Sequence, residues 1–290
     1  MRNVAAAIVL AVAAGLGGFA SNGVPTAAAA SPVKVVIIVG PTGSATASYR
    51  IGADAAYAEA IKYTPNVVRL YSPIATWTAV KAATAGASIV VYLGHGNGWP
   101  SPYTNDPLYT TKDGFGLNAT ANNGDSNTKY YGEPSIATLS LAPNAVILLN
   151  RLCYASGNSE PGNAEPTKTV AKQRADNYAA AFLKAGARGV IADGHISSVA
   201  YYIRALFTSH LTLDQLWRAA PNYHAHTFAF ASVRNPGFTV EMDPDNLASS
   251  YYRSLSGALT LSADSVTHLA PLTGFVAEPA RTVTRTTGTR

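Results

Sequence analysis

The sequence predicts an α/β protein with a mostly parallel central sheet covered by helices on both faces. Three observations carry this. Val33 to Val39 and Ala145 to Asn150 are dense apolar runs with no polar alternation, the mark of strands buried on both sides. Segments of helical period alternate with such runs along the first two-thirds of the chain. The 290 residues are 48% hydrophobic and only 13% charged, which excludes a disordered polar chain and provides for a large core.

The elements run in this order. Val33 to Val39 is a first strand, bounded by Pro32 and Gly40-Pro41. Ser48 to Tyr63 places Ile51, Ala55, Ala58 and Ile61 at helical spacing, and Pro65 ends it. Val67 to Tyr71 is a second strand, Thr76 to Ala85 a second helix, and Ser88 to Leu93 a third strand that runs into Gly94-His95-Gly96. Residues 97–141 then break the pattern. They are rich in Gly, Asn, Asp, Pro, Thr and Tyr without a sustained period, and are expected to form a long loop insertion. A fourth strand, Ala145 to Asn150, leads into Arg151-Leu152-Cys153. A helix over Lys172 to Ala185 is capped by Gly186. A fifth strand, Gly189 to Ala192, ends at Asp193-Gly194-His195. Helices are expected at Val199 to Thr208 and Leu213 to Ala219. After Asn222 the pattern is irregular, with a short strand or two.

Met1-Arg2-Asn3, the apolar run Val4 to Ala20 and the small residues through Ala30 read as a secretory signal peptide over 1–30, cleaved near Ala28 or Ala30. A retained anchor is the alternative. Residues 31–275 are expected as a single domain, and 276–290 as a flexible Thr/Arg tail. The net charge is +5, but Arg2 belongs to the leader and Arg281, Arg285 and Arg290 to the tail. The body is close to neutral and carries no basic stripe, so nucleic acid is not an expected partner. No membrane association is expected once the leader is removed, and the mature protein is expected to be secreted or at the cell surface.

Cys153 is the sole cysteine, so no internal disulfide exists. A lone thiol in an oxidising compartment is a liability unless it is buried or used. Ligands of parallel sheets collect beyond the carboxyl ends of the strands, where His95, Cys153 and His195 all fall. Neighbouring strands lie about 4.8 Å apart. If the third and fourth strands are adjacent, His95 and Cys153 share one cleft. There an imidazole can take the thiol proton, or pass one to a leaving amine. The amides of Gly96 and Cys153 would face a developing oxyanion. His195, Asp193, Trp99 and Tyr154 are candidate substrate contacts.

A hydrophobic strand running into His95-Gly96, then another running into Cys153, resembles the caspase-like cysteine peptidases, which include gingipains, clostripain, legumains and CHAT domains. The stretch Ala181 to Ala192 (AFLKAGARGVIA) is similar to their helix-and-strand segment after the cysteine. The resemblance implies a three-layer α/β/α fold with sheet order 2-1-3-4-5. It also implies a His95/Cys153 dyad with Gly96 and Cys153 as oxyanion donors, and endopeptidase activity on peptide or protein substrates without a cofactor. The chain departs from the family in Leu152, where members place a small residue.

Alternatives stay open on the residues alone. A cysteine after a strand is often a small buried hydrophobe, and a strand-end histidine is often structural. Asp106, Asp113, Asp125 and Glu133 in the 97–141 insertion read either as solvated turn residues or as a calcium site or basic-side-chain pocket. His224-Ala225-His226 carries no HExxH or paired-cysteine context, so no metal is expected. The competing functions are a non-enzymatic exported binding module on the same fold and a metal-assisted hydrolase using the histidines.

Overall fold

Val35–Val39 forms strand β1, buried along its whole length. A run of β-branched residues with no polar face requires cover on both sides, and it receives it. The computed structural model describes residues 33–96, 111–194 and 198–267, all within one compact unit spanning 32–290. The expected leader, the flexible tail, Trp99 and His195 lie outside the described residues.

After β1 come helix α1 (Thr46–Ala60), strand β2 (Val67–Tyr71), helix α2 (Trp77–Thr84) and strand β3 (Ile89–Leu93). The Thr76 hydroxyl caps α2 by accepting from the Ala79 N–H. Strand β6 (Val146–Asn150), helix α4 (Lys168–Lys184), strand β7 (Gly189–Asp193), and helices α5 (Val199–Thr208) and α6 (Leu213–Arg218) come after an intervening insertion. Gly186 (φ 99°) ends α4 in the left-handed conformation expected of a C-terminal glycine. A reciprocal Thr212/Gln215 capping box starts α6.

Two expectations are corrected. The described part of the 97–141 insertion is not an unstructured loop. It holds an antiparallel hairpin, β4 (Phe115–Asn118) with β5 (Thr128–Tyr131), and the short helix α3 (Glu133–Ile136). Strands of four residues are too short to show a period. The described residues after Asn222 form three strands, β8 (Phe228–Ala231), β9 (Thr239–Met242) and β10 (Arg253–Gly257), with helix α7 (Ala263–Thr267) after them. Polar residues or glycine hide β9 and β10, and four residues of Phe-Ala-Phe-Ala are too short to mark β8; pairing rather than composition stabilises them.

Among the described residues the main sheet has eight strands in the order β2-β1-β3-β6-β7-β10-β9-β8. Pairings from β2 through β7 are parallel, which is the expected 2-1-3-4-5 order with β6 and β7 as the fourth and fifth strands. The last three strands extend it antiparallel. Alternate residues of each strand feed opposite layers. Val35, Ile37 and Val39 pack with α1, α5, α6 and α7, whereas Val36 and Ile38 pack with Val80, Phe115, Tyr178 and Phe182. Leu93 of β3 pairs with Asn150 of β6, and Asn150 with Asp193 of β7, so the three strands end in one row. The turns leaving these three strands therefore emerge on the same rim.

Candidate active site

The chain leaves β3 through Gly94-His95-Gly96 and leaves β6 through Arg151-Leu152-Cys153, and the two exits touch. A β-carbon added at Gly96 would lie 1.8 Å from the Cys153 carbonyl oxygen and 2.8 Å from its backbone nitrogen. Only glycine permits that approach. Adjacent parallel strands of equal register have thus brought the His-Gly turn onto the Cys turn.

His95 is half-buried and held by its backbone and its neighbours. The fully buried Tyr92 folds back along β3. Its hydroxyl lies 3.0 Å from the His95 carbonyl and 2.9 Å from the Gly116 carbonyl, and accepts the Gly116 N–H. The β4–β5 hairpin is thereby pinned beside His95. A side chain at Gly116 would press on the His95 β-carbon, and the Tyr130 ring meets the imidazole edge-on at 6.4 Å between centroids.

Cys153 sits in a strained turn. Arg151 (φ 58°) and Tyr154 (φ 69°) both occupy the left-handed region that non-glycine residues avoid. The Ala155 N–H donates to the Cys153 carbonyl at 2.9 Å, closing a three-residue turn around Tyr154. Leu152 is buried in the core beneath, and its carbonyl accepts from Asn158 Nδ2 at 3.3 Å. The Arg151 N–H donates to the Asp193 carbonyl. A large apolar residue at 152 anchors the turn, so the next residue emerges. Strain of this kind collects where a side chain must be presented at a fixed angle.

The thiol opens onto a cleft of about 290 Å³ lined also by Tyr49, Arg151, Asn158, Ser159, Pro161, Gly194 and Tyr252. The Arg151 guanidinium stacks 5.0 Å from the Tyr49 ring, whose hydroxyl donates to the Arg151 carbonyl. Burial pushes the Cys153 thiol up to about 11, and the Glu160 carboxylate adds to the rise. Burial lowers the His95 imidazole, against an opposing pull from Glu160. At neutral pH the resting pair is a thiol and a free-base imidazole. Among the described residues, neither the Gly96 nor the Cys153 N–H donates to a backbone carbonyl in a turn or loop.

Two expected substrate contacts are corrected. Asp193 is 3% exposed, lies 3.6 Å from Arg253 and accepts from Asn222 Nδ2, so it belongs to a buried polar network. Tyr154 is buried beneath Arg174 with its hydroxyl on Glu160. Among the described carboxylates of the insertion, Asp113 and Glu133 are neighbours and Asp125 is held elsewhere. Asp125 pairs with Arg50 and Ser72, Glu133 with Arg234 and Lys184, and Asp113 is buried, while Asp106 lies outside the described residues. His224 and His226 both donate backbone N–H groups to Asp243. Among the described residues no group of three or more His, Cys, Asp or Glu side chains is arranged to hold a metal ion. Tyr49, Tyr92, Tyr130, Asn158 and Tyr252 were not legible as site residues. Tyr92, a polar residue in an otherwise apolar strand, was the one with a local signal.

No protein-family model matches the chain, and no curated protein matches it in sequence. A secreted C11 cysteine protease from Bacteroides thetaiotaomicron, solved by X-ray crystallography with an irreversible peptide inhibitor, is similar in structure. The identity is 14% over 73% of this chain and 66% of that one, with a TM-score of 0.35.

Proposed function

We propose that the chain is an exported cysteine-type peptidase acting on peptide or protein substrates, with Cys153 as nucleophile and His95 as its base. The observation that carries this reading is the contact of the Gly96 and Cys153 backbones at the rim of the sheet, beside an open cleft lined by the thiol. The leader-like residues 1–30 support export, and no helix among the described residues is long and apolar enough to cross a membrane.

The geometry suggests the roles. The thiol is neutral at rest, so attack on a peptide carbonyl is concerted with proton loss. The sulfur–carbon bond forms as the proton passes to the free-base imidazole of His95. The carbonyl oxygen then carries the charge, for which the backbone N–H groups of Gly96 and Cys153 are the candidate donors. The imidazolium returns the proton to the leaving amine, and water hydrolyses the thioester. No cofactor enters this scheme.

The test is hydrolysis of a broad peptide library. Cys153→Ala and His95→Ala are expected to lose turnover by several orders of magnitude while keeping the wild-type unfolding midpoint. Unchanged turnover in Cys153→Ala rules the reading out. One observation favours a second reading, a non-enzymatic peptide-binding module: burial holds the thiol neutral. A peptide bearing an electrophile separates the two. Modification of Cys153 far faster than by iodoacetamide supports the peptidase, and equal slowness supports the module.

A further inference from the structure

The turn that presents the thiol is held from a distance by one side chain. Arg174 stands on α4, whose first turn is capped by the Thr167 hydroxyl. Its Nη1 donates to the Asn158 carbonyl and to Ser159 Oγ, both at 2.8 Å. Its guanidinium carbon lies 5.1 Å from the centroid of the Tyr154 ring. Tyr154 is the left-handed residue immediately after Cys153. Asn158 reaches back to the carbonyl of Leu152, immediately before Cys153. Ser159 donates its own proton to the Ala164 carbonyl at 2.6 Å. Arg174 therefore grips both flanks of the nucleophile turn, and the two residues it bonds form one wall of the cleft.

We infer that Arg174 is a positioning residue for Cys153: it clamps the strained turn and the Asn158–Ser159 wall so that Cys153 is held at the cleft beside the His95–Gly96 turn. This rests on the peptidase reading above. The clamp acts through geometry, because the thiol's titration is displaced by its burial, Glu160 and its own backbone N–H, and Arg174 is not among them. A left-handed tyrosine persists only while its surroundings hold it. Without the guanidinium over its ring, Tyr154 can relax to negative φ and shift the adjacent Cys153 from its place at the cleft. A single nitrogen makes both hydrogen bonds, so a lysine ammonium can replace them, though not the planar stack.

The experiment compares Arg174→Met and Arg174→Lys in the intact chain. It uses steady-state peptide hydrolysis, the pH profile of Cys153 alkylation by iodoacetamide, and thermal unfolding. Arg174→Met is expected to lose about 10²-fold in kcat/KM, mostly in kcat, since misplacement by about 1 Å costs that much. Its alkylation midpoint is expected to move down towards that of a free thiol as the turn opens to water. Arg174→Lys is expected to recover both to within roughly tenfold of wild type. Val266→Ala, in the core away from the cleft, controls for general loosening and is expected to keep the wild-type alkylation profile. Wild-type kcat/KM and alkylation in Arg174→Met overturn the inference. If Cys153→Ala retains hydrolysis, the peptidase reading fails, and the alkylation profile alone then decides Arg174. If Arg174→Met does not fold, Ser159→Ala removes one acceptor of the clamp and is expected to show the same shifts at smaller size. Its wild-type behaviour overturns the inference.

Discussion

Gly96 and Cys153 meet backbone to backbone at the carboxyl ends of β3 and β6, with no room for a β-carbon between them. The contact spans 57 residues of sequence and is made by two strands of identical register. It decides whether an imidazole and a thiol share one crevice, and Gly96→Ala tests it. The added methyl would meet backbone, which cannot step aside as a side chain can. The variant is expected to lose about 1–3 kcal/mol in urea unfolding. Its iodoacetamide reactivity at Cys153 is expected to rise as the turns separate. Wild-type values of both would show that the turns do not touch.

The thiol and imidazole titrate in opposite directions from their ordinary values, and both shifts keep the pair neutral. Alkylation of Cys153 in the free protein is expected to be slow at pH 7–8 and to rise with a midpoint near 11. A folded-state pKa above the unfolded one contributes stability that is complete below the unfolded value. That stability is lost as pH rises through about 11. Peptide turnover requires free-base His95, so its acid limb is expected below about 6.5. An alkylation midpoint at the value of a free thiol would remove the burial shift, and one below neutral pH would remove the neutral-pair description.

Asp113 lies wholly buried just ahead of β4, and burial pushes its carboxyl up to about 8, against Thr111 and Arg234. The folded state then holds a proton that the unfolded chain has released above about 4. Stability from this group is full below that value and falls as pH rises through about 8. Asp113→Asn is expected to flatten the loss between pH 5 and pH 8, gaining roughly 1 kcal/mol or more on wild type over that interval. Parallel urea curves for the two proteins at both pH values would contradict it.

Arg234 is fully buried and bonds Glu133 through both carboxylate oxygens and Asn177 of α4 through Nη1. It ties the insertion to α4 and to the β8–β9 connection. Removing one partner of a buried pair strands the other charge, so Arg234→Met is expected to cost about 3–5 kcal/mol. Burial alone would raise the Glu133 carboxyl, but Lys184 and Arg234 hold it below its ordinary value. Arg234→Met is therefore expected to raise it, seen as a stability loss that is larger at pH 7 than at pH 4. A pH-independent loss would place the stabilisation in packing rather than in the pair.

Much of the fold was legible because its strands are locally encoded. Val35 to Val39 and Val146 to Asn150 are continuous apolar runs, and a strand buried on both faces has to look like that. The positions of His95 and Cys153 were legible with them, since each comes directly after such a run. The β4–β5 hairpin was hidden. Phe115-Gly116-Leu117-Asn118 is too short for a period, and its polar partner Thr128-Lys129-Tyr130-Tyr131 is stabilised by cross-strand pairing. Asp193 was misjudged for a related reason. It stands at a strand end as His95 does, but Arg253, 60 residues later, returns on β10 and takes it into a buried network.

By itself, the sequence determined which segments are strands, that they lie parallel with helices between them, and that an imidazole and the sole thiol stand at strand ends. These are properties of neighbours in the chain, set by periodicity and side-chain shape. Only the tertiary structure decided that the two turns touch, that Tyr92 and the hairpin brace His95, and that Arg174 grips the flanks of Cys153. Most of those contacts join residues tens of positions apart. Closing such distances draws on the whole core, so no local pattern records them.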